Sequence, residues 1–173
     1  MDLLDQFKRI TTFVFDVDGV LTDSTVLLLD NGLQARRMSI KDGLALQLAL
    51  RNGYRVVICS GAHSEPVVAR MHYLGLTEVH TAVKDKRAFL EQYCADNEVD
   101  AATVLFMGDD LPDLPALRIA GISACPSDAA VEVREASVYR SPVAGGAGCV
   151  RDVIEKVLRL NGHWQYESGL TSK

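Results

Sequence analysis

The chain reads as an α/β fold, a three-layer Rossmann-like parallel sheet with helices on its faces, and three observations point there. Short β-type runs alternate with helical runs along almost the whole length, the pattern of strands joined by helical crossovers. Three of the apolar runs, Thr11–Phe15, Arg55–Cys59 and Thr103–Met107, read as core strands. Each runs into chemically capable residues beside a glycine: Asp16-Val-Asp18-Gly19, Ser60-Gly61, and Gly108-Asp109-Asp110. In open parallel sheets the carboxyl ends of the strands are where chemistry sits.

The elements follow in order. Thr11–Phe15 is the first strand. Val26–Leu29 and Ala35–Ser39 flank Asp30-Asn31-Gly32, whose Asn-Gly pair is a strong hairpin signal and marks the only clearly antiparallel element. Ile40–Asn52 is a helix with apolar Leu44, Leu46, Leu48 and Leu50, closed by Gly53. Arg55–Cys59 is the second core strand, Glu65–Leu74 a helix stopped by Gly75, Glu78–Thr81 a short strand and Lys86–Asp96 a helix. Thr103–Met107 is the third core strand. Leu114–Ala120 is a short helix that tolerates Pro115 in its first turn. Ile122–Ala124 and Ser137–Tyr139 are short strands around a helix at Ala129–Ala136. The last helix, Val150–Leu160, follows the loop Gly145-Gly146-Ala147-Gly148. The tail from Asn161 to Lys173 is polar and is expected to be mobile or docked on a neighbour. The whole, residues 1–173, is expected to form one domain, with the hairpin at about 22–39.

At 173 residues, 48% hydrophobic and 24% charged, the chain has the length and mix for one full hydrophobic core. A net charge of −5 without a long basic run argues against a nucleic-acid groove. An anionic substrate would need local help from a cation or from helix N-termini. Four cysteines occur and none forms a Cys-x-x-Cys pair, so zinc and dithiol chemistry are weak ideas. The first apolar run is too short for a signal peptide or a membrane span, and the expected location is the cytoplasm.

Residues 13–19 carry the most information. Asp16 and Asp18 alternate along the strand direction, so their carboxylates converge only if the chain curls straight after Asp16, which Gly19 permits. Converging carboxylates repel unless a cation or a shared proton compensates. The segment therefore suits a hard metal, with one acid free to attack and the other to move protons. In a parallel sheet, Ser60-Gly61, Asp109-Asp110 with Asp113, and Lys86 at a helix N-terminus can meet these acids at one point. Carboxylates would hold a divalent cation, a small hydroxyl followed by glycine would let backbone N–H groups approach a phosphate oxygen, and lysine would add positive charge. Together they describe phosphoryl transfer to an aspartate, then hydrolysis. Each piece also has a plainer reading. Ser60-Gly61 suits a strand-to-helix turn, Lys84-Asp85-Lys86-Arg87 a solvated charged run, and Gly108-Asp109-Asp110 a helix cap.

With Asp16-Val-Asp18-Gly19, Ser60-Gly61, Lys86 and Gly108-Asp109-Asp110-Leu-Pro-Asp113, the chain resembles a haloacid dehalogenase superfamily phosphatase over residues 8–160. Asp18-Gly-Val-Leu-Thr-Asp23, the hairpin, Ile40-Lys-Asp-Gly43 and Gly145-Gly-Ala-Gly148 resemble the small capless branch containing 3-deoxy-D-manno-octulosonate 8-phosphate phosphatase. The resemblance implies a protruding β-hairpin in place of a cap domain. It implies that Asp16 attacks phosphorus while Asp18 protonates the leaving sugar oxygen and then deprotonates water. Mg²⁺ would be held by Asp16, the backbone carbonyl of Asp18, and Asp109, with Asp110 or Asp113 acting through water or from behind these ligands. Ser60, Gly61 and Lys86 would bind the phosphoryl group, and Lys41, Gly145 and Gly146 would contribute to substrate binding.

The resemblance also implies a homotetramer in which one subunit's hairpin closes its neighbour's site, since Thr22–Ser39 is too small to cover its own pocket. The apolar run Val26–Leu29 suits that wall, or packing beneath the sheet. The implied substrate is an acidic keto-deoxy sugar phosphate used in lipopolysaccharide biosynthesis, the octulosonate 8-phosphate or a nine-carbon nonulosonate 9-phosphate. A phosphotransferase and a non-catalytic module partnering a sugar-activating enzyme are rival classes. Two departures bear on the sugar. Relatives usually carry an arginine where this chain has Ala62-His63, and another where it has Ala147. His63, Lys41, Arg36, Arg37 or Arg151 would then have to meet the sugar acid.

Overall fold

A computed structural model describes residues 2–165. Six strands form the main sheet: β1 (Thr12–Phe15), β4 (Arg55–Cys59), β5 (Glu78–His80), β6 (Val104–Met107), β7 (Ile122–Cys125) and β8 (Tyr139–Arg140). Their order is β5-β4-β1-β6-β7-β8, and every neighbouring pair is parallel. The chain steps outward from β1 through β4 to β5, then returns to the other side of β1 and steps outward again. That reversal puts the crevice of a doubly wound sheet at the carboxyl end of β1.

Alternation along the strands builds two cores. Phe13, Phe15, Val56, Ile58, Leu105 and Met107 face one way, against helices α2 (Ile40–Arg51), α3 (Glu65–Tyr73) and α7 (Cys149–Leu160). Val14, Val57, Cys59, Val104 and Phe106 face the other, against α4 (Lys86–Asp96), α5 (Leu114–Leu117) and α6 (Val131–Ala136). Phe15 lies level with Ile58 and Met107, so the residues after these three strands emerge side by side.

The structure corrects several boundaries. A first helix, α1 (Leu3–Lys8), precedes β1 and was not foreseen; it anchors through Phe7, which is fully buried edge-on to Tyr139. The short helix after β6 stops at Leu117, as Gly121 N–H turns to the Ala101 carbonyl. Ser137 belongs to the end of α6, where its N–H and hydroxyl both donate to the Val133 carbonyl, so β8 starts later than expected.

The hairpin strands, β2 (Leu27–Leu28) and β3 (Gln34–Ala35), are two residues each, with a single bridge at their base between Thr22 and Met38. Leu27, Leu28 and Leu33 are 65%, 71% and 62% exposed, so this apolar run is not packed beneath the sheet.

Residues 161–165 fold back on the chain itself. Tyr54 Oη lies 2.9 Å from His163 Nδ1, and Trp164 stacks against Arg151 and Arg159. The remainder of the expected tail, residues 166–173, lies outside the described residues. Among the described residues no helix is long and apolar enough to cross a membrane.

Candidate active site

The Asp16 N–H donates to the Met107 carbonyl at 3.0 Å, which continues the β1–β6 ladder by one residue and fixes the backbone of Asp16. The chain then leaves the sheet. Asp18 (φ −72°, ψ 115°) and Gly19 (φ +90°) break the extended run, and Thr22 N–H closes the turn on the Val17 carbonyl at 3.1 Å. Glycine is required at 19 twice over. Its φ is left-handed, and a Cβ there would stand 1.9 Å from Asp109 Oδ2. Asp109, at the end of β6, thus lies directly over the turn that follows Asp16.

Lys86, the first residue of α4, is buried beneath them with its side chain 4% exposed. Its Nζ lies 2.9 Å from Asp16 Oδ1 and 2.6 Å from Asp113 Oδ1. Asp113 uses its other oxygen to accept the N–H groups of Asp109 (3.0 Å) and Asp110 (3.3 Å). Asp85 caps the helix by accepting Ala88 N–H at 2.9 Å, which sets the direction of the turn carrying Lys86.

These groups are electrically strained. Burial, then the charge of Asp113, pushes Asp16 up to about 6 against the pull of Lys86. Burial, then Asp16 and Asp113, pushes Asp109 up to about 7. For Lys86 burial opposes the charge, but Asp16 and Asp113 outweigh it and hold the ammonium charged more firmly than usual. Carboxylate oxygens of Asp16, Asp109 and Asp113 lie within 4.8 Å of one another. An all-oxygen set with uncompensated negative charge is what a hard divalent cation neutralises, so these residues fit such an ion.

Ser60 follows β4 and is buried. Its N–H donates to the His80 carbonyl (2.9 Å), its carbonyl accepts Val83 N–H (3.0 Å), and its hydroxyl oxygen accepts Ala62 N–H (3.3 Å). The structure brings Asp16, Asp18, Ser60, Gly61, Lys86, Asp109, Asp110 and Asp113 to one cleft of about 510 Å³.

Other expected residues are elsewhere. Lys41 lines a separate cavity with Arg151, at the N-terminal ends of α2 and α7. Gly145 and Gly146 do not line the cleft, because they press on the turn after Asp16 from behind. Gly145 N–H donates to Asp128 Oδ1 (2.9 Å) and Gly146 N–H to the Val20 carbonyl (2.9 Å), and a Cβ at 145 would stand 2.0 Å from the Gly19 carbonyl oxygen. His63 is exposed, its ring nitrogens within hydrogen-bond reach of Thr81 (2.8 Å) and Glu65 (2.9 Å). Asp18 is absent from the three-carboxylate cluster. Its side chain turns to Arg36, whose Nε donates to Oδ1 at 2.6 Å and Nη2 to Oδ2 at 3.5 Å.

The sequence marks Arg36 only as one of the cations that could meet a sugar acid; its pairing with Asp18 emerges from the fold. The available signal was Arg36-Arg37 at the foot of a hairpin, where alternation turns one of two neighbours inward. Ser24 was missed as well; its hydroxyl donates to Asp109 Oδ2 at 3.4 Å.

No family model matches the chain. The 3-deoxy-D-manno-octulosonate 8-phosphate phosphatase KdsC of Escherichia coli K12 is 28% identical over 161 residues, 93% of this chain and 86% of that protein. The Moraxella catarrhalis 3-deoxy-D-manno-octulosonate 8-phosphate phosphatase, solved with magnesium ion, phosphate ion and KDO, is 30% identical with a TM-score of 0.88, covering 91% of this chain and 90% of that one. The cobalt-bound phosphatase YrbI of Haemophilus influenzae is 27% identical with a TM-score of 0.86, covering 91% and 92%. With likeness of that extent over nearly the full length of both chains, and with acidic strand ends meeting a buried lysine in one cleft, this chain belongs to the haloacid dehalogenase superfamily of phosphatases and resembles its 3-deoxy-D-manno-octulosonate 8-phosphate phosphatases.

Proposed function

We propose that this chain is a Mg²⁺-dependent phosphomonoesterase that converts an acidic keto-deoxy sugar phosphate, 3-deoxy-D-manno-octulosonate 8-phosphate first among them, to the free sugar acid and phosphate. One observation carries the reading: Asp16, at the end of the central strand, is braced at 2.9 Å by a buried lysine and stands within 4.8 Å of two further carboxylates. The names and bound molecules of the relatives support the sugar.

Asp16 attacks phosphorus. A bond forms between its carboxylate oxygen and phosphorus as the ester P–O bond breaks, and Asp18, having taken up a proton in exchange for its Arg36 contact, gives that proton to the departing sugar oxygen. Asp18 then takes a proton from water, whose oxygen attacks the aspartyl phosphate and restores Asp16. At neutral pH Asp16, raised only to about 6, is largely ionised for attack. Ser60, the Gly61 backbone and Lys86 hold the phosphoryl oxygens. Asp16, Asp109 and the backbone carbonyl of Asp18 would hold Mg²⁺, with Asp113 fixed behind them by Lys86 and two amides. When bound, Mg²⁺ offsets the carboxylate charge and draws electron density from the phosphoryl oxygens.

The exposed apolar hairpin supports assembly as a tetramer in which each hairpin roofs a neighbour's cleft, since leucines this exposed gain by burial against another copy. In this reading the enzyme works in the cytoplasm and supplies lipopolysaccharide biosynthesis.

A phosphate-release screen over sugar phosphates with Mg²⁺, including octulosonate 8-phosphate and nonulosonate 9-phosphate, tests the proposal. The native chain should release phosphate from an acidic keto-deoxy sugar phosphate. Asp16→Asn, isosteric but without the attacking charge, should lose about 10⁴-fold or more in kcat with its circular dichroism unchanged. Native protein that releases phosphate from none of these esters would falsify the reading.

A further inference from the structure

A second lysine reaches the same cleft. Lys84 is exposed and lines it together with Asp16, Asp18, Ser60 and Gly61. Two backbone hydrogen bonds pin its segment to the loop after β4: Ala82 N–H donates to the Ala62 carbonyl (3.4 Å) and Val83 N–H to the Ser60 carbonyl (3.0 Å). Between these bonds Ala82 holds a left-handed φ of +57°, a conformation that an alanine keeps only where its surroundings impose it. The backbone bearing Lys84 is therefore fixed relative to the Ser60-Gly61 loop, while its side chain is free to extend.

The charges around the cleft are mostly spoken for. Lys86 is held by Asp16 and Asp113, and Arg36 by Asp18. Among the described residues Lys84 has no such carboxylate partner. Against it stand five carboxylates in the cleft lining: Asp16, Asp18, Asp109, Asp110 and Asp113. An anion entering this field meets repulsion, and an unneutralised ammonium is the group best able to compensate. Position separates the two lysines: Lys86 is buried against Asp16 at the floor, whereas Lys84 is an exposed member of the cleft lining.

We propose that Lys84 binds a second anionic group of the substrate, a carboxylate on the leaving group, and thereby selects acidic phosphate esters over neutral ones. This rests on the phosphatase reading above and names the group that discriminates among its substrates.

The test is steady-state kinetics with Mg²⁺ on 3-deoxy-D-manno-octulosonate 8-phosphate and on its C1 carboxamide, which differ by one charge. The quantity read is the ratio of kcat/KM for acid over amide. Lys84→Gln should lower that ratio about tenfold, chiefly through KM for the acid, as expected for a lost charge-assisted contact. Lys84→Arg, which keeps the charge, should hold the ratio within about threefold of native. Raised ionic strength should shrink the native ratio toward that of Lys84→Gln, because the contact is solvent-exposed. A ratio unchanged in Lys84→Gln, whether both rates fall or neither does, overturns the assignment. Absence of phosphate release from both esters by native protein overturns the phosphatase reading and this inference with it.

Discussion

At the floor of the cleft Lys86 is 4% exposed and holds two carboxylates at 2.9 and 2.6 Å, while on the hairpin above it Leu27 and Leu28 are 65% and 71% exposed on a two-residue ladder. The floor is built from strand ends and a capped helix start, so the register of the main sheet sets where its side chains lie. The rim has no core beneath it. Its described side-chain tie to the cleft acids runs through Arg36 to Asp18 and through Ser24 to Asp109. The contrast separates two tasks. Chemistry that tolerates little displacement is placed where the fold over-determines position. In the proposed reading, selection of substrate and partner falls to parts that still have contacts to make.

Three substitutions probe that contrast, from the floor outward. Lys86→Met should do the most damage, leaving Asp16 and Asp113 buried together without a cation. We expect phosphatase activity to vanish and urea unfolding to show a loss of about 3–5 kcal/mol, the usual cost of orphaning a buried charge. A variant that kept its stability would mean that the floor is not the rigid part. Arg36→Ala should cut kcat about 10- to 100-fold with KM little changed, because Asp18 loses the partner that orients it. Its stability should move by no more than about 1 kcal/mol, as for a pair with one half-exposed member. Equal falls for every substrate would fit this account; a change confined to KM would instead make Arg36 part of the sugar site. Leu28→Asp should leave unfolding of the dissociated chain within about 0.5 kcal/mol, since within one chain the residue is mostly exposed. Sedimentation should then report a smaller assembly. An unchanged assembly would remove the hairpin from the interface.

How much could be read in advance follows the same division. The floor residues Asp16, Asp109 and Asp113 are legible because strand-ending Asp-Gly patterns are local and parallel topology brings such ends together, whereas Lys86 is picked out by the family resemblance. The fold class was legible for the same reason. Within Lys84-Asp85-Lys86-Arg87, however, nothing in the run separates four fates: an exposed cleft lysine, a helix cap, a buried ion-pair centre and a surface partner of Glu91. Gly145 and Gly146 look like a phosphate loop in sequence, yet their amides are consumed by Asp128 and Val20, contacts that depend on how distant segments pack. Lys41 likewise lies outside the cleft, in the cavity it shares with Arg151, a placement set by how α2 packs on α7. The helix α1 escaped notice because six residues carry too little periodicity, and it is docked chiefly by buried Phe7.

The support behind the Asp16 turn carries a consequence for the order of events in synthesis. Val20 receives the Gly146 N–H and the Cys149 thiol, the latter across 129 positions of chain, and Gly145 abuts Gly19. The turn that follows Asp16 therefore takes its described form only once residues 145–149 have been made and packed behind it, so the acidic end of β1 and the late glycine loop must be completed together.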